Sequence, residues 1–352
     1  MLGLLAPLTL LAPASALPIH WQTNSLQLIQ SGGNYARVAR ADAANIACIY
    51  EREGGIRLKR SADNGQNWGD EILVADVENY RAANPELLVT PDGDWLCSFN
   101  GRPRRDTGLP FTIATCRSAD GGRTWSAPAT VYRAGTTFET GCWEPRAIGA
   151  PDGTIQLYFA NEAPYSLTHE QQITRLISAD NGRSWSAPQV VSARREARDG
   201  MPVPLVLQNG NIVMAIEDNG LNGDFKPVII APQSGQFVGG ASPYRWSALQ
   251  RPLAAHVYAG APYLCQMADG TTILSSQLSA SGAIRTASMA VWTGDANARN
   301  FADLSFPFAA CGAKSGLWNS LWAKDAHRVS ALSSAEINGV FGVWNIDGKL
   351  AE

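Results

Sequence analysis

Apolar and polar positions alternate along this chain in short runs, and the runs come in pairs on either side of a turn. Two examples are Ile155-Gln156-Leu157-Tyr158-Phe159 and Asn211-Ile212-Val213-Met214-Ala215-Ile216, each of which follows a turn rich in Asp, Asn, Gly or Thr. Runs of roughly four to eight residues bounded by such turns are typical of β-strands joined in hairpins. The pattern therefore predicts an all-β chain.

Six such hairpins follow one another at nearly equal spacing. Their turns centre on residues 43, 92, 152, 209, 269 and 325, so the intervals are 49, 60, 57, 60 and 56 residues. Self-similarity at a fixed period is the signature of a repeat architecture, and a period of this length fits one four-stranded β-unit. The spacing predicts six blades.

An eight-residue motif, Ser-Ala-Asp-x-Gly-x-x-Trp, occurs three times, at residues 61–68, 118–125 and 178–185. Its aspartate can accept hydrogen bonds from its own turn, its glycine can adopt a positive φ, and its tryptophan can cover the turn. The aspartates follow the first three hairpin centres by 20 to 28 residues. We therefore interpret the motif as a structural turn between the third and fourth strands of a blade, and not as a catalytic motif.

The motif resembles the Asp box of the sialidase superfamily, whose members are six-bladed β-propellers. The resemblance implies an all-β, sialidase-like propeller that forms a single domain over residues 17–352. A closed ring of blades requires the first and last strands to share one blade. We therefore expect residues 26–29 to pair with the C-terminal strands around residues 340–346.

Residues 1–16 form an apolar run that ends at Ala14-Ser15-Ala16, the small-x-small pattern of a signal-peptide cleavage site, although no Lys or Arg precedes the run. We therefore expect a signal peptide and a secreted protein, extracellular or periplasmic. No segment approaches the roughly 20 consecutive apolar residues that span a bilayer. We expect no membrane partner.

The charge of the chain argues against a nucleic-acid partner. Its 28 Lys and Arg against 31 Asp and Glu give a net charge of −3 without any basic stretch. The four His and six Cys lack the spacing of a metal site, so we expect neither a metal nor another cofactor. Cys97 and Cys116 fall on expected neighbouring strands and are the pair best placed for a disulfide; buried free thiols are the alternative. We expect a monomer.

The hairpin turns also locate a candidate site. If all six turns lie at one end of the ring, the residues about eight positions before and after each centre meet at the other end, around the mouth of the central channel. The polar and aromatic residues at those offsets are Tyr35, Arg37, Glu51, Asn84, Glu86, Asn100, Arg102, Trp143, Glu144, Asn161, Glu162, Asp199, Glu217, Asp218, Gln277, Trp318 and Asn319.

Carboxylates dominate this set, which favours sugar hydrolysis. That reaction needs one carboxylic acid to protonate the leaving oxygen and a second carboxylate to attack the anomeric carbon or to activate water. Tryptophan faces stack on sugar rings, and Asn or Arg donors bind hydroxyl groups. The alternative for each single acid is a solvated or salt-bridged residue at the rim.

Glu144 and Glu217 stand out among the acids. Glu144 precedes Pro145, which favours an extended entry into a strand, and Glu217 ends the apolar run 212–216. An apolar approach followed by an acid predicts a partly desolvated carboxyl with a raised pKa. Glu162 holds the equivalent position in the intervening blade and is the main rival.

Sialidases resemble one another in a tyrosine nucleophile near the C-terminus, an aspartate acid/base and three arginines that bind the substrate carboxylate. In this chain the last tyrosine is Tyr263, and Gly316-Leu317-Trp318-Asn319-Ser320 stands where that tyrosine would lie. Arg37 is the one convincing arginine match. We therefore expect no sialidase activity.

The chain is more similar to the secreted exo-α-1,5-L-arabinanases of the same superfamily. The segments that carry this resemblance are Tyr35-Ala36-Arg37-Val38, Ala83-Asn84-Pro85-Glu86, Trp143-Glu144-Pro145, Asp199-Gly200-Met201-Pro202, Ala215-Ile216-Glu217-Asp218 and Leu317-Trp318-Asn319-Ser320-Leu321. The resemblance implies a retaining exo-glycosidase acting on α-1,5-linked arabinan, with Glu144 and Glu217 as its catalytic pair.

The substrate-binding residues that the resemblance and the rim positions suggest are Arg37, Asn84, Trp143, Glu162, Asp199, Asp218, Trp318 and Asn319. Which glutamate is the nucleophile stays open. The alternatives are a sialidase or another exo-glycosidase on the same scaffold, and a carbohydrate-binding propeller without catalysis.

Overall fold

The computed structural model describes residues 17–105, 107–221 and 223–351. Its strands form six four-stranded antiparallel sheets, and in five of them the strand order follows the chain without a crossover. The prediction of an all-β, six-bladed β-propeller is therefore confirmed. The predicted signal peptide, residues 1–16, lies outside the described residues.

Each blade runs from its innermost to its outermost strand. The chain starts with β1 (Ile19–Ser31), which is the outermost strand of blade six. Blade one contains β2 (Asn34–Arg40), β3 (Ile46–Arg52), β4 (Gly55–Ser61) and β5 (Ile72–Ala75). Blade two contains β6 (Tyr80–Val89), β7 (Trp95–Pro103), β8 (Thr112–Ser118) and β9 (Ala129–Arg133). Blade three contains β10 (Cys142–Gly149), β11 (Ile155–Asn161), β12 (Gln172–Ser178) and β13 (Gln189–Ser192).

Blade four contains β14 (Asp199–Val206), β15 (Ile212–Asp218), β16 (Lys226–Ala231) and β17 (Tyr244–Ser247). Blade five contains β18 (Tyr258–Gln266), β19 (Thr272–Ser279), β20 (Ser288–Gly294) and β21 (Ala302–Ser305). Blade six contains β22 (Leu317–Ala323), β23 (Arg328–Ile337) and β24 (Val340–Leu350), followed by β1. Four short 3-10 helices lie in loops, at Phe138–Thr140, Ala163–Tyr165, Ile284–Thr286 and Ala309–Cys311. None of the described helices is long and apolar enough to cross a membrane.

The hydrophobic core lies between neighbouring blades. Every residue of β11 is buried, because the second strand of a blade is covered by sheets on both of its faces. Leu58 and Phe99 belong to one hydrophobic cluster between blades one and two, and Leu96 and Phe159 belong to another between blades two and three. This double burial explains why the second strands read as nearly continuous apolar runs in the sequence.

The hairpin turns and the Ser-Ala-Asp motifs lie where the sequence predicted them. All six hairpin centres join the first strand of a blade to the second, and the three Ser-Ala-Asp motifs join the third strand to the fourth. In the first motif, Asp63 accepts hydrogen bonds from the Asn67 backbone N–H (2.8 Å) and from the Ser61 hydroxyl (2.7 Å). Asp120 and Asp180 make the equivalent bonds. The motif is a structural turn on the periphery of the ring.

The ring closes through β1. Gln27 lies opposite Asn345 and Leu28 lies opposite Trp344, so the N-terminal strand completes the sheet formed by the C-terminal strands. The predicted pairing of residues 26–29 with residues 340–346 is confirmed.

Cys97 and Cys116 lie directly opposite each other on β7 and β8, as predicted, and both are buried. They are free thiols, which agrees with the alternative of buried thiols and not with a disulfide. Each sulfur lies 3.9 Å from a backbone carbonyl, of Ser98 and Val74 respectively, and the two side chains pack as apolar groups in the core between blades one and two.

Candidate active site

A β-bulge interrupts the innermost strand of every blade at the same height. At each bulge, two residues of the first strand stand opposite one residue of the second. The first of the two has a positive φ in all six blades: Tyr35 (52°), Asn84 (50°), Glu144 (54°), Met201 (45°), Ala261 (48°) and Trp318 (52°). A bulge bends its strand and changes the direction of a side chain.

The six bulges bring side chains from different blades together at the channel. Tyr35, Met201 and Ala261 form one buried cluster, with Trp318 packed against it, although these residues come from four blades. The Tyr35 and Trp318 rings lie 5.9 Å apart. Glu144 is the one acid among the six bulge residues, and it is half-buried beside this apolar cluster.

Glu217 lies at the end of β15 in blade four. It stands between Gly200 of the same blade and Gly260 of blade five. Its Oε2 accepts a hydrogen bond from the Ala261 N–H at 2.9 Å. A Cβ atom on Gly260 would lie 2.8 Å from Oε2, and one on Gly200 would lie 2.9 Å from Oε1. Gly200 and Gly260 each precede a bulge residue, so both glycines are needed to leave room for this carboxyl group.

Glu144 and Glu217 interact electrostatically. Burial raises the pKa of Glu144, and the nearby Glu217 charge raises it further, while Arg102 and Arg37 oppose this effect. Burial also raises the pKa of Glu217, with the Ala261 N–H as the main opposing contribution. Two buried carboxyl groups that repel each other release their protons as a pair. One of them therefore holds a proton at a pH where an exposed glutamate has lost it, as the sequence predicted.

Glu162 has a different environment. Its Oε1 accepts hydrogen bonds from Trp143 Nε1 (3.0 Å), Gln171 Nε2 (2.7 Å) and Arg198 Nη2 (2.6 Å). Only 6% of Glu162 is exposed. A cation and two further donors satisfy this carboxylate, so Glu162 is poorly placed to exchange a proton with a substrate. Glu162 and Trp143 form the wall beside the two acids.

The channel beneath Glu144 is filled by a charged and aromatic cluster. Arg37 and Arg146 approach Glu86 at 3.5 and 3.8 Å, and both guanidinium groups lie over the Tyr263 ring, at 4.9 and 4.4 Å. Arg37 is 2% exposed and donates a further bond to the Trp318 carbonyl at 3.1 Å. The predicted ligand Arg37 therefore lies at the floor of the mouth, where its charge is compensated by Glu86.

Asp199 and Asp218 do not line the mouth as expected. They are paired on β14 and β15, both are fully buried, and both are held by Arg194 and Arg245. Arg194 approaches the two carboxylates at 2.9 and 2.5 Å, and Arg245 at 2.7 and 2.5 Å. A substrate hydroxyl would have to displace an arginine from this four-member network, so we interpret these aspartates as structural.

The remaining predicted ligands divide into two groups. Trp318 is half-buried at the mouth and leaves part of its ring accessible. Asn84 is buried, and its Oδ1 accepts a hydrogen bond from Arg102. Asn319 is 1% exposed and donates to the Gly316 carbonyl at 3.0 Å, so it supports the loop before β22.

Several residues of the site escaped the sequence analysis. These are Arg146, Gln171, Arg198 and Tyr258, all of which contact or act on the residues described above. Arg198 and Tyr258 lie 11 residues before their hairpin centres, outside the window of about eight. Gln171 precedes the third strand of its blade, a position that the window did not cover. Arg146 lies six residues before its hairpin centre, the offset of Arg37 and Glu86, so a window extended to 11 residues covers three of the four.

The described residues contain no group of three or more His, Cys, Asp or Glu side chains that could hold a metal ion.

Comparison with known proteins identifies solved structures that share this fold. No family model matches the chain. A sialidase from Micromonospora viridifaciens is 50% identical over 60 residues, which are 17% of this chain and 9% of that protein. The match thus covers a small part of a much longer relative.

Solved structures that match over nearly the whole chain include an α-L-arabinofuranosidase and an α-L-arabinanase. An α-L-arabinofuranosidase from Fusarium graminearum superposes with a TM-score of 0.73 at 18% identity, over 97% of this chain and 99% of that one. An α-L-arabinanase from Penicillium chrysogenum, solved with arabinobiose, gives a TM-score of 0.71 at 17% identity, over 95% and 98% of the two chains. At these identities the likeness establishes the fold, which is shared by arabinan-degrading enzymes and sialidases. The resemblance to sialidase-superfamily propellers is confirmed at that level.

Proposed function

We propose that the protein is a secreted glycoside hydrolase that releases sugar from the non-reducing end of α-1,5-linked arabinan with retention of configuration. The observation that carries this proposal is the pair Glu144 and Glu217, two acids with raised pKa values at the mouth of the channel. Neither acid forms an ion pair with a described lysine, arginine or histidine, so neither charge is permanently compensated.

We assign Glu144 as the nucleophile and Glu217 as the acid/base. Burial and the neighbouring acid raise the pKa of both groups, so the roles are assigned from geometry. Glu217 Oε1 borders the same space as Gln171 Oε1, a buried acceptor for which the described residues supply no donor, and this favours the protonated form of Glu217. In a retaining enzyme the ionised group attacks the anomeric carbon while the protonated group donates to the leaving oxygen.

The closed floor of the mouth supports attack at a chain end. Because Arg37, Glu86, Arg146 and Tyr263 fill the channel below Glu144, a sugar can enter from one side and cannot pass through. A terminal residue is the part of a polysaccharide that fits such a blind site.

A neutral sugar suits the charges of the site. The two arginines in the channel share Glu86, and Arg198 is bound to Glu162, so each is already engaged with a carboxylate. A sialic acid carboxylate would have to compete with these acids for a guanidinium group. The accessible Trp318 ring offers a surface on which a neutral sugar can stack.

The proposal is tested by incubating the purified protein with linear arabinan, branched arabinan and sialyl-lactose. We expect arabinose or short arabinosides from linear arabinan, with α-configured product in the first minutes by proton NMR. Release of sialic acid would favour the second candidate, a sialidase, which the 60-residue match supports. Binding of arabinan without any product would favour a carbohydrate-binding propeller.

A further inference from the structure

Gln171 carries a buried oxygen that has no hydrogen-bond donor. The residue is 4% exposed, and its Nε2 donates to Glu162 Oε1 at 2.7 Å. Its Oε1 is one of the buried polar atoms for which the described residues supply no partner. A buried unpaired acceptor costs about 1–3 kcal/mol, so its retention calls for an explanation.

The orientation of the Gln171 amide is fixed by Glu162. Rotating the amide by 180° would place Oε1 against the Glu162 carboxylate, which is itself an acceptor. The amide oxygen must therefore point away from Glu162, and this direction leads to Gly200. A Cβ atom on Gly200 would collide with Gln171 Oε1 and would lie 2.9 Å from Glu217 Oε1. The two oxygens border the same small space.

Two oxygens that face one space attract each other only when one of them carries a proton. Oε2 of Glu217 already accepts the Ala261 N–H, which leaves Oε1 as the oxygen to be protonated. We propose that Gln171 is a positioning residue that accepts a hydrogen bond from protonated Glu217 Oε1 and thereby fixes which oxygen carries the catalytic proton. This inference rests on the proposed function, in which Glu217 is the acid/base.

The other charged and titratable groups around Glu217 are compatible with this role. Glu144 approaches from β10, Glu162 from the end of β11, Asp224 from the loop before β16 and Tyr258 from β18. Each of the three acids disfavours the negatively charged form of Glu217. Arg198 opposes them, but its guanidinium group is bound to Glu162 at 2.6 Å.

The proton balance of the reaction follows directly. In the first step, the O–H bond of Glu217 breaks and an O–H bond forms on the leaving alcohol. The glycosidic C–O bond breaks with its electron pair on that oxygen, while a Glu144 carboxylate oxygen forms a new C–O bond to the anomeric carbon. Glu217 Oε1 is then an anion facing the lone pairs of Gln171. This repulsion favours the second step, in which Glu217 takes a proton from the attacking water and the hydrogen bond to Gln171 returns. The water oxygen forms a C–O bond to the anomeric carbon, and the C–O bond to Glu144 breaks with its electron pair on Glu144.

The decisive experiment measures the pKa of Glu217 without substrate. Protein labelled with carboxyl-13C glutamate is titrated by NMR, and the Glu217 signal is assigned by its absence in Glu217→Gln. In Gln171→Met, which keeps the length of the side chain and removes the acceptor, we expect the Glu217 pKa to fall by about one unit, a tenfold change in the dissociation constant. Trp143→Phe is the matched control, because it removes another donor to Glu162 and should leave the Glu217 pKa unchanged.

A second pair of variants guards against misfolding of Gln171→Met. In Gly200→Ala the new methyl group should separate the two oxygens and lower the Glu217 pKa, even though added apolar bulk alone would raise it. Gly260→Ala should disturb the Ala261 N–H bond on the other side and raise that pKa. An unchanged or higher Glu217 pKa in both Gln171→Met and Gly200→Ala would overturn the inference. Failure of the wild type to hydrolyse any arabinan would overturn the proposed function and leave this titration unaffected.

Discussion

Arg198 donates to the Glu162 carboxylate at 2.6 Å, and this bond distinguishes Glu162 from the two acids beside it, Glu144 and Glu217. Sequence position alone left Glu162 as a rival to Glu144 and Glu217, since all three follow or enter apolar strands. The salt bridge and two further donors compensate its charge, whereas no described cation pairs with the other two. Burial raises the pKa of all three carboxyl groups, so the ion pair is what distinguishes them: a compensated carboxylate is a support, and an uncompensated one is available for proton transfer or attack.

The first prediction concerns the catalytic pair. Glu144→Gln and Glu217→Gln should each lower kcat on arabinan by about three orders of magnitude or more, because each group acts in the transition state. Added azide should separate the roles. With an activated substrate, Glu217→Gln should give the azide of retained configuration, whereas Glu144→Gln should give the inverted one, because azide then replaces the nucleophile. If Glu162→Gln, the matched control, reduced kcat more than both, the pair would have to be reassigned.

A second prediction addresses the buried network of Asp199, Asp218, Arg194 and Arg245. Arg245→Ala leaves a buried carboxylate without its partner and should lower the free energy of unfolding by about 3–5 kcal/mol. Arg195→Ala is the control from a neighbouring loop: Arg195 is 89% exposed in its ion pair, and such pairs contribute about 0–1 kcal/mol. Urea denaturation measures both. A normal stability for Arg245→Ala, combined with a large rise in KM, would return Asp199 and Asp218 to the substrate site.

The third prediction links pH to stability. Burial raises the pKa of Glu217 in the folded state, so its contribution is favourable at low pH and is lost as the pH rises through the folded-state pKa. Glu217→Gln removes the buried charge. It should match the wild type at about pH 4, near the pKa of about 4.3 in the unfolded chain, and be more stable than the wild type at about pH 8. Thermal melts at both pH values provide the measurement; a variant that is less stable than the wild type at the higher pH would contradict the raised pKa.

A fourth prediction tests the sugar-stacking surface. Trp318→Ala should raise KM for arabino-oligosaccharides about tenfold, the loss expected when one aromatic contact of about 1.4 kcal/mol is removed, with a smaller change in kcat. Trp318→Phe keeps an aromatic face and should recover most of the affinity. Equal KM values for wild type and Trp318→Ala would show that the sugar does not contact this ring.

The sequence predicted the fold in detail because the signals were local and repeated. Glycine-rich turns mark the hairpins, and Asp63, Asp120 and Asp180 make the bonds that their motif requires. Closure by residues 26–29 was also predictable, since a ring of blades leaves few other partners for the first strand.

The site was predicted less completely, for two physical reasons. A carboxylate at the correct height can belong to an ion-pair network, as Asp199 does, and sequence spacing does not reveal its arginine partners. Residues such as Gln171 reach the mouth from the segment just before the third strand of a blade, where no offset from the hairpin centre applies. The bulges are equally hidden, since among their positive-φ residues only Asn84 is of a type that readily adopts this conformation.

The pairing of β1 with β24 also has a consequence for the order of folding. The backbone N–H of Asp347 bonds the Ser25 hydroxyl across 322 positions of the chain, so this contact cannot form until residue 347 has been synthesised. Five blades consist of consecutive strands and can assemble from nearby segments, whereas the sixth must wait for both ends. Long-range pairing of this kind slows folding, because the entropy of joining the ends is lost before the contact is gained. Ring closure should accordingly be the last and slowest step, and until then the edge of β24 is open to other strands.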